Sequence, residues 1–168
     1  MDAQRRTPPS TTAGDRASLV GFLDHQRETL AMKCAGLTGD QLREKAVPPS
    51  GLSLLGLVRH AVEVERTWFR LVWGKAEIGP YWGPARNGAH AEFDVESADP
   101  DEALAAWHRE CAHSRAVVDA AASLDEAVRW RDETFSLRYI VTHMIEEYAR
   151  HNGHADLLRE RLDGSTGE

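Results

Sequence analysis

Cysteine is scarce: Cys34 and Cys111 are the two in 168 residues, each alone within a helical pattern. Two such thiols build neither a disulfide framework nor a cysteine-based zinc site. They read as reduced thiols acting as small hydrophobes, which makes the cytoplasm the expected location. An uninterrupted apolar run of about 18 residues is also lacking, which argues against a membrane-spanning helix. The opening residues, MDAQRRTPPSTTAG, contain arginines but no apolar stretch, so they lack the pattern of a secretory signal. Basic excess is missing too. Lysine and arginine number 20 against 27 acidic residues, a net charge of −7 that argues against a nucleic-acid backbone as partner. With 42% hydrophobic and 28% charged residues, the composition is that of an ordinary globular domain.

Strand-like alternation is absent as well, whereas helical patterning recurs four times. The first segment covers residues 15–35, with Leu19, Phe22, Leu23, Leu30 and Cys34 on one stripe. The second covers residues 52–73, LSLLGLVRHAVEVERTWFRLVW, and Gly74 is placed to stop it. The third starts at Asp99, with Pro100 fitting the first turn and Glu102 placed for a capping box, and runs to about residue 121. The fourth covers residues 136–162 and ends before Gly164. Four long amphipathic segments without strands predict an all-α four-helix bundle over residues 15–163. Residues 1–14 read as a disordered tail and residues 164–168 as a short C-terminal tail. The connection between the second and third segments is long and rich in Gly and Pro, a loop or a lid whose Tyr81, Trp82 and Phe93 should pack on the bundle.

The fourth segment holds HMIEEYARHNGH, in which His143, Glu147, His151 and His154 recur at spacings of four, four and three. With His143 at zero on a helical wheel, Leu137, Ile140, Met144, Tyr148, Ala155 and Leu158 fall between roughly 60° and 140°. His151 lands near about 80°, inside that core arc, and Glu147 at its edge near about 40°. A carboxylate facing a core needs a partner, and so does an imidazole. Glu147 and His151, four apart, can offer two ligands to one metal ion. A direct Glu–His hydrogen bond accounts for the same spacing. On the second segment Leu57, Ala61, Val64, Trp68 and Leu71 define the expected inward side. His60 flanks it and is the best third ligand, whereas His25 reads as surface and His90 lies in the long loop.

Together, LVRHAVEVERTW and HMIEEYARHNGHADLLRE resemble the DinB-like superfamily of four-helix metalloproteins. The phrases SGLSLLGLVRH and HNGHADLLRE are most similar to its actinobacterial mini-circle-type branch. That resemblance spans roughly residues 15–163 and implies a divalent metal, zinc or nickel, held by three side chains. By motif position these are His60, Glu147 and His151. Glutamate at the middle position is similar to the mycothiol-dependent maleylpyruvate isomerases. His154 replaces the glutamine common in the family. The resemblance further implies a transferase or isomerase that activates a low-molecular-weight thiol such as mycothiol toward an electrophilic substrate. His143 or His154 would move a proton and Arg150 would hold an anionic substrate. A bundle that binds metal or a small ligand without catalysis, in a stress-related or structural role as a homodimer, is the alternative.

Overall fold

The computed structural model describes residues 6–84 and 90–167. Most of the described chain is helical. The helices are α1 (Asp15–Cys34), α2 (Gly39–Arg43), α3 (Leu54–Glu65), α4 (Pro100–Ala120) and α5 (Leu137–Asp163). A π-helix, Arg66–Trp73, continues α3, and a 3-10 turn, Ala91–Phe93, interrupts the long connection. Helix α1 packs chiefly on α5, α3 on α4, and α3 also touches α5. Leu30, Leu57, Phe69, Trp107, Ile140 and Met144 fill the space between them.

Local chemistry explains where the helices begin. Ser53 caps α3 by accepting from Gly56 N at 3.1 Å, and Ser136 caps α5 by accepting from Tyr139 N at 3.1 Å. Asp99 caps α4 through Asp101 N at 2.9 Å, and Pro100 follows in the first turn. Gly164 ends α5 in the left-handed conformation, at φ +79°, where an L side chain would be strained.

Arginines serve the other ends, each crossing to a neighbouring element. Arg16 donates to the carbonyls of Val118 and Ala121 at 2.8 and 2.6 Å, closing the end of α4. Arg159 does the same for α1 at Lys33 O and Ala35 O. Arg159 lies in the last turns of α5, where a cation suits the helix dipole. It also pairs there, with Asp163 at 2.7 Å.

Three features differ from the expectation. A β-hairpin joins α4 to α5, with β1 (Ala127–Trp130) antiparallel to β2 (Glu133–Ser136) and Trp130 opposite Glu133. Its strands have four residues each, and its turn, Arg131-Asp132, carries no glycine or asparagine to announce it. The long presumed helix 52–73 changes to π geometry after Glu65. Residues 6–14, expected to be a disordered tail, run along α1 with Thr7 N donating to Glu28 at 2.6 Å and His25 Nδ1 at 3.2 Å from Thr7 O. Residues 1–5 of that expected tail lie outside the described residues.

Burial along the second segment also departs from the expected side. Leu57 and Ala61 are buried, but Glu65, Phe69 and Val72 take the deepest positions beyond them, while Val64, Trp68 and Leu71 are half-buried. Glu65 is fully enclosed and never alone. Arg27 grips both its oxygens at 2.8 and 2.9 Å, Ser114 Oγ donates at 2.5 Å and Tyr148 OH donates at 2.9 Å. Trp107 Nε1 donates in turn to Tyr148 OH at 2.7 Å. A buried carboxylate is tolerable only with such a full complement of donors.

Candidate metal centre

Helix α5 buries Leu137, Ile140, Met144, Tyr148, Ala155 and Leu158 on the predicted arc. The polar stripe lies along the margin of that arc. His151 was expected inside it, yet its side chain keeps 20% exposure, close to the 24% of Glu147 and 23% of His143. Across from this margin stands His60 of α3, also 23% exposed.

Glu147 is the meeting point. Its Oε2 lies 3.9 Å from His60 Nε2 and 3.4 Å from His151 Nε2. Donor atoms of His60, Glu147 and His151 all fall within 4.8 Å of one another. The opposite nitrogen of each imidazole has its own neighbour. His60 Nδ1 lies 3.4 Å from Glu92 Oε1, and His151 Nδ1 lies 3.4 Å from His154 Nδ1. A carboxylate on Nδ1 holds an N–H there and leaves the Nε2 lone pair free to coordinate. A void of about 10 Å³, lined in part by Leu57, Val64 and Tyr148, adjoins the three side chains.

Electrostatics act in the same direction at His151. Burial, with His60 second, pushes the His151 imidazole below its ordinary range, so it presents a neutral ring at neutral pH. Two imidazoles and one carboxylate in close approach match the donor set of an open-sided divalent metal site.

Glu92 has no counterpart in the sequence reading. It belongs to the 3-10 turn of the long connection, 92% enclosed, and is carried to His60 by the way that connection packs. Trp82 N donates to Glu63 at 3.0 Å and Trp82 Nε1 to Arg59 O at 3.0 Å. Arg59 lies over the Trp82 ring, 4.2 Å from its centroid, and donates to Ala91 O at 2.9 Å. Phe93 stacks on His60 at 5.5 Å and meets α3 at Gly56, where a Cβ would approach its ring carbon within 3.1 Å. Tyr81 rests beside Trp82, at 4.5 Å between centroids. This part of the connection is a strap across α3. Residues 85–89 lie outside the described residues.

The remaining predicted residues are spread around this centre. His143 Nε2 approaches the other oxygen of Glu147, Oε1, at 3.5 Å, and its Nδ1 lies 3.7 Å from Glu146. His154 stands behind His151. Arg150 is exposed and bound through Nε to Glu146 at 3.1 Å, on the outer face of α5. His90 is exposed, 3.7 Å from Glu92, and His25 is occupied by Thr7.

The fold is similar to that of a conserved protein of Enterococcus faecalis solved by crystallography, with a TM-score of 0.67 at 14% identity over 88% of this chain and 96% of that one. No curated protein matches the sequence. A family model does, that of mycothiol-S-transferase, across residues 18–164. Its match takes in α3, the strap and α5, and thus every residue of the centre described above; the chain belongs to the mycothiol-S-transferase family.

Proposed function

We propose that this protein is a DinB-like four-helix bundle that binds a divalent metal, zinc or alternatively nickel, and transfers the thiol of mycothiol to an electrophile. One observation carries the reading: two imidazoles turn Nε2 toward a single carboxylate oxygen while their Nδ1 atoms are engaged elsewhere. His60, Glu147 and His151 would hold the ion. Bound there, it supplies a Lewis acid that favours thiolate over thiol near neutral pH.

The chain's own groups supply the rest. Glu92 orients His60, and His154 backs His151. His143, beside Glu147, is placed to take the thiol proton and pass it to solvent. The sulfur lone pair then forms the new carbon–sulfur bond as the leaving group departs with its electron pair. Membership of the actinobacterial mini-circle-type branch is part of this proposal, as is a relation to the mycothiol-dependent maleylpyruvate isomerases through the His, Glu, His ligand order. Transfer is the better supported of the two reactions because it is what the family model describes.

The test is metal analysis of purified protein followed by calorimetric titration with mycothiol. We expect close to one metal per chain and a heat of binding. Glu147→Ala and His151→Ala should each abolish stoichiometric metal, and His25→Ala should leave it intact. Metal retained in both site variants removes the reading. Metal without any response to mycothiol favours the non-catalytic binding bundle.

A further inference from the structure

The two helices that carry the proposed ligands are not each other's main partners: α3 packs chiefly on α4, and α5 on α1. Yet His60 of α3 has to meet Glu147 and His151 of α5 within the reach of one ion. Donor atoms in a preorganised site are held to within about 0.5 Å. Apolar packing sets helix spacing less sharply than that, because it makes no directional demand.

One hydrogen bond ties the two helices together beside the site. Tyr148 follows Glu147 directly, and it lines the small void against which His60, Glu147 and His151 stand. Its hydroxyl donates to Oε1 of Glu65 at 2.9 Å, and Glu65 is the last residue of α3, five after His60. Trp107 Nε1 can only donate, so its 2.7 Å bond to the Tyr148 hydroxyl leaves that hydroxyl's own proton for Glu65. Glu65 is itself immobilised: Arg27 of α1 holds both its oxygens and Ser114 of α4 donates to Oε2. The carboxylate that fixes α5 on α3 is thus fixed in turn by the two long helices that carry no proposed ligand.

Stability alone is a poor reason for such an arrangement. Replacing a buried ion pair by well-packed apolar residues of similar volume is often neutral or even stabilising. What a fully satisfied polar network supplies is direction, since its bonds hold at one spacing and one rotation of α5 against α3.

We infer that Tyr148, acting through Glu65, is a positioning residue for the metal centre: it sets the approach of α5 to α3 so that Glu147 and His151 meet His60 ready to coordinate. The inference rests on the proposed metal centre, and it concerns how tightly and in what geometry the ion is held.

The experiment compares Tyr148→Phe, which keeps the ring and removes the hydroxyl, with Ser114→Ala, which removes a different bond to the same carboxylate. Zinc affinity is measured by competition with a chromophoric chelator, and ligand geometry by the visible absorption of cobalt(II)-loaded protein. Tyr148→Phe should weaken zinc binding by about tenfold or more and alter the cobalt spectrum, as loss of an outer support does at metal sites. Ser114→Ala should lower the melting temperature and leave zinc affinity and the cobalt spectrum as in wild type. Should the unpaired Trp107 donor keep Tyr148→Phe from folding, the double variant Trp107→Phe/Tyr148→Phe removes both partners and should show the same loss. Wild-type affinity and spectrum in whichever of these two variants folds overturns the inference alone. So does an equal loss of zinc in Ser114→Ala, which would mark a general loosening of the bundle. Wild-type protein that takes up no zinc removes the proposed metal centre and this inference with it.

Discussion

Glu147 divides its two oxygens, one toward His60 and His151 and the other toward His143. In the proposed reaction the carboxylate would separate a coordinating side from a proton-exchanging side within one residue. Glu92 acts one step further out, on His60 Nδ1. Outer partners of this kind usually carry about 10–100-fold in metal affinity. Glu92→Gln should therefore weaken zinc binding by about that factor while the protein still folds, as measured by competition with a chromophoric chelator. Unchanged affinity would show that His60 needs no such orientation. That Glu147 and His151 lie side by side was legible because a helix repeats, and residues four apart share a face. Glu92 was not, because its position depends on how a loop without periodicity folds back over 32 residues onto α3.

At the scale of elements, the second helical segment shows where wheel arithmetic stops working. Up to Ala61 the expected inward face holds. Beyond it Glu65, at the end of α3, enters the interior while Val64 stays half-buried, and in the π-helix that follows Phe69 and Val72 are buried where the wheel placed Trp68 and Leu71. No local sequence signal marks an i→i+5 register, and the partners of Glu65 come from three other helices. Arg27 and Glu65 have 4% and 0% side-chain exposure, so this is an ion pair without water to fall back on. Glu65→Ala should destabilise the fold by about 3–5 kcal/mol, because it leaves the buried Arg27 with Asp24 alone and removes the acceptor of Ser114 and Tyr148. Urea denaturation monitored by circular dichroism measures it, and a cost below about 1 kcal/mol would mean that Arg27 finds water instead. The hairpin escaped notice for a related reason: strands of four residues without a glycine turn resemble loop.

For the whole molecule, composition was a dependable guide to class and a poor one to detail. Long amphipathic stretches announced a mostly helical chain, and no described helix is long and apolar enough to cross a membrane. The N-terminal stretch of prolines, serines and threonines read as a tail, but Thr7 bonds to α1 through backbone groups that composition does not reveal. Both cysteines are buried, and burial pushes each thiol up to about 12. Folded protein should accordingly show no thiol that reacts promptly with a disulfide reagent at pH 8, and two after unfolding in guanidinium. Rapid modification of either in the native state would contradict the enclosed interior.

One arrangement in the fold reaches beyond chemistry. The proposed ligands are shared unevenly, two on α5 and one on α3, and 151 − 60 = 91 positions of chain separate the outermost pair. An ion seated between them would act as a clasp on the tertiary structure, favouring the closed fold by mass action in proportion to its free concentration. Metal starvation would then loosen the molecule as well as silence it.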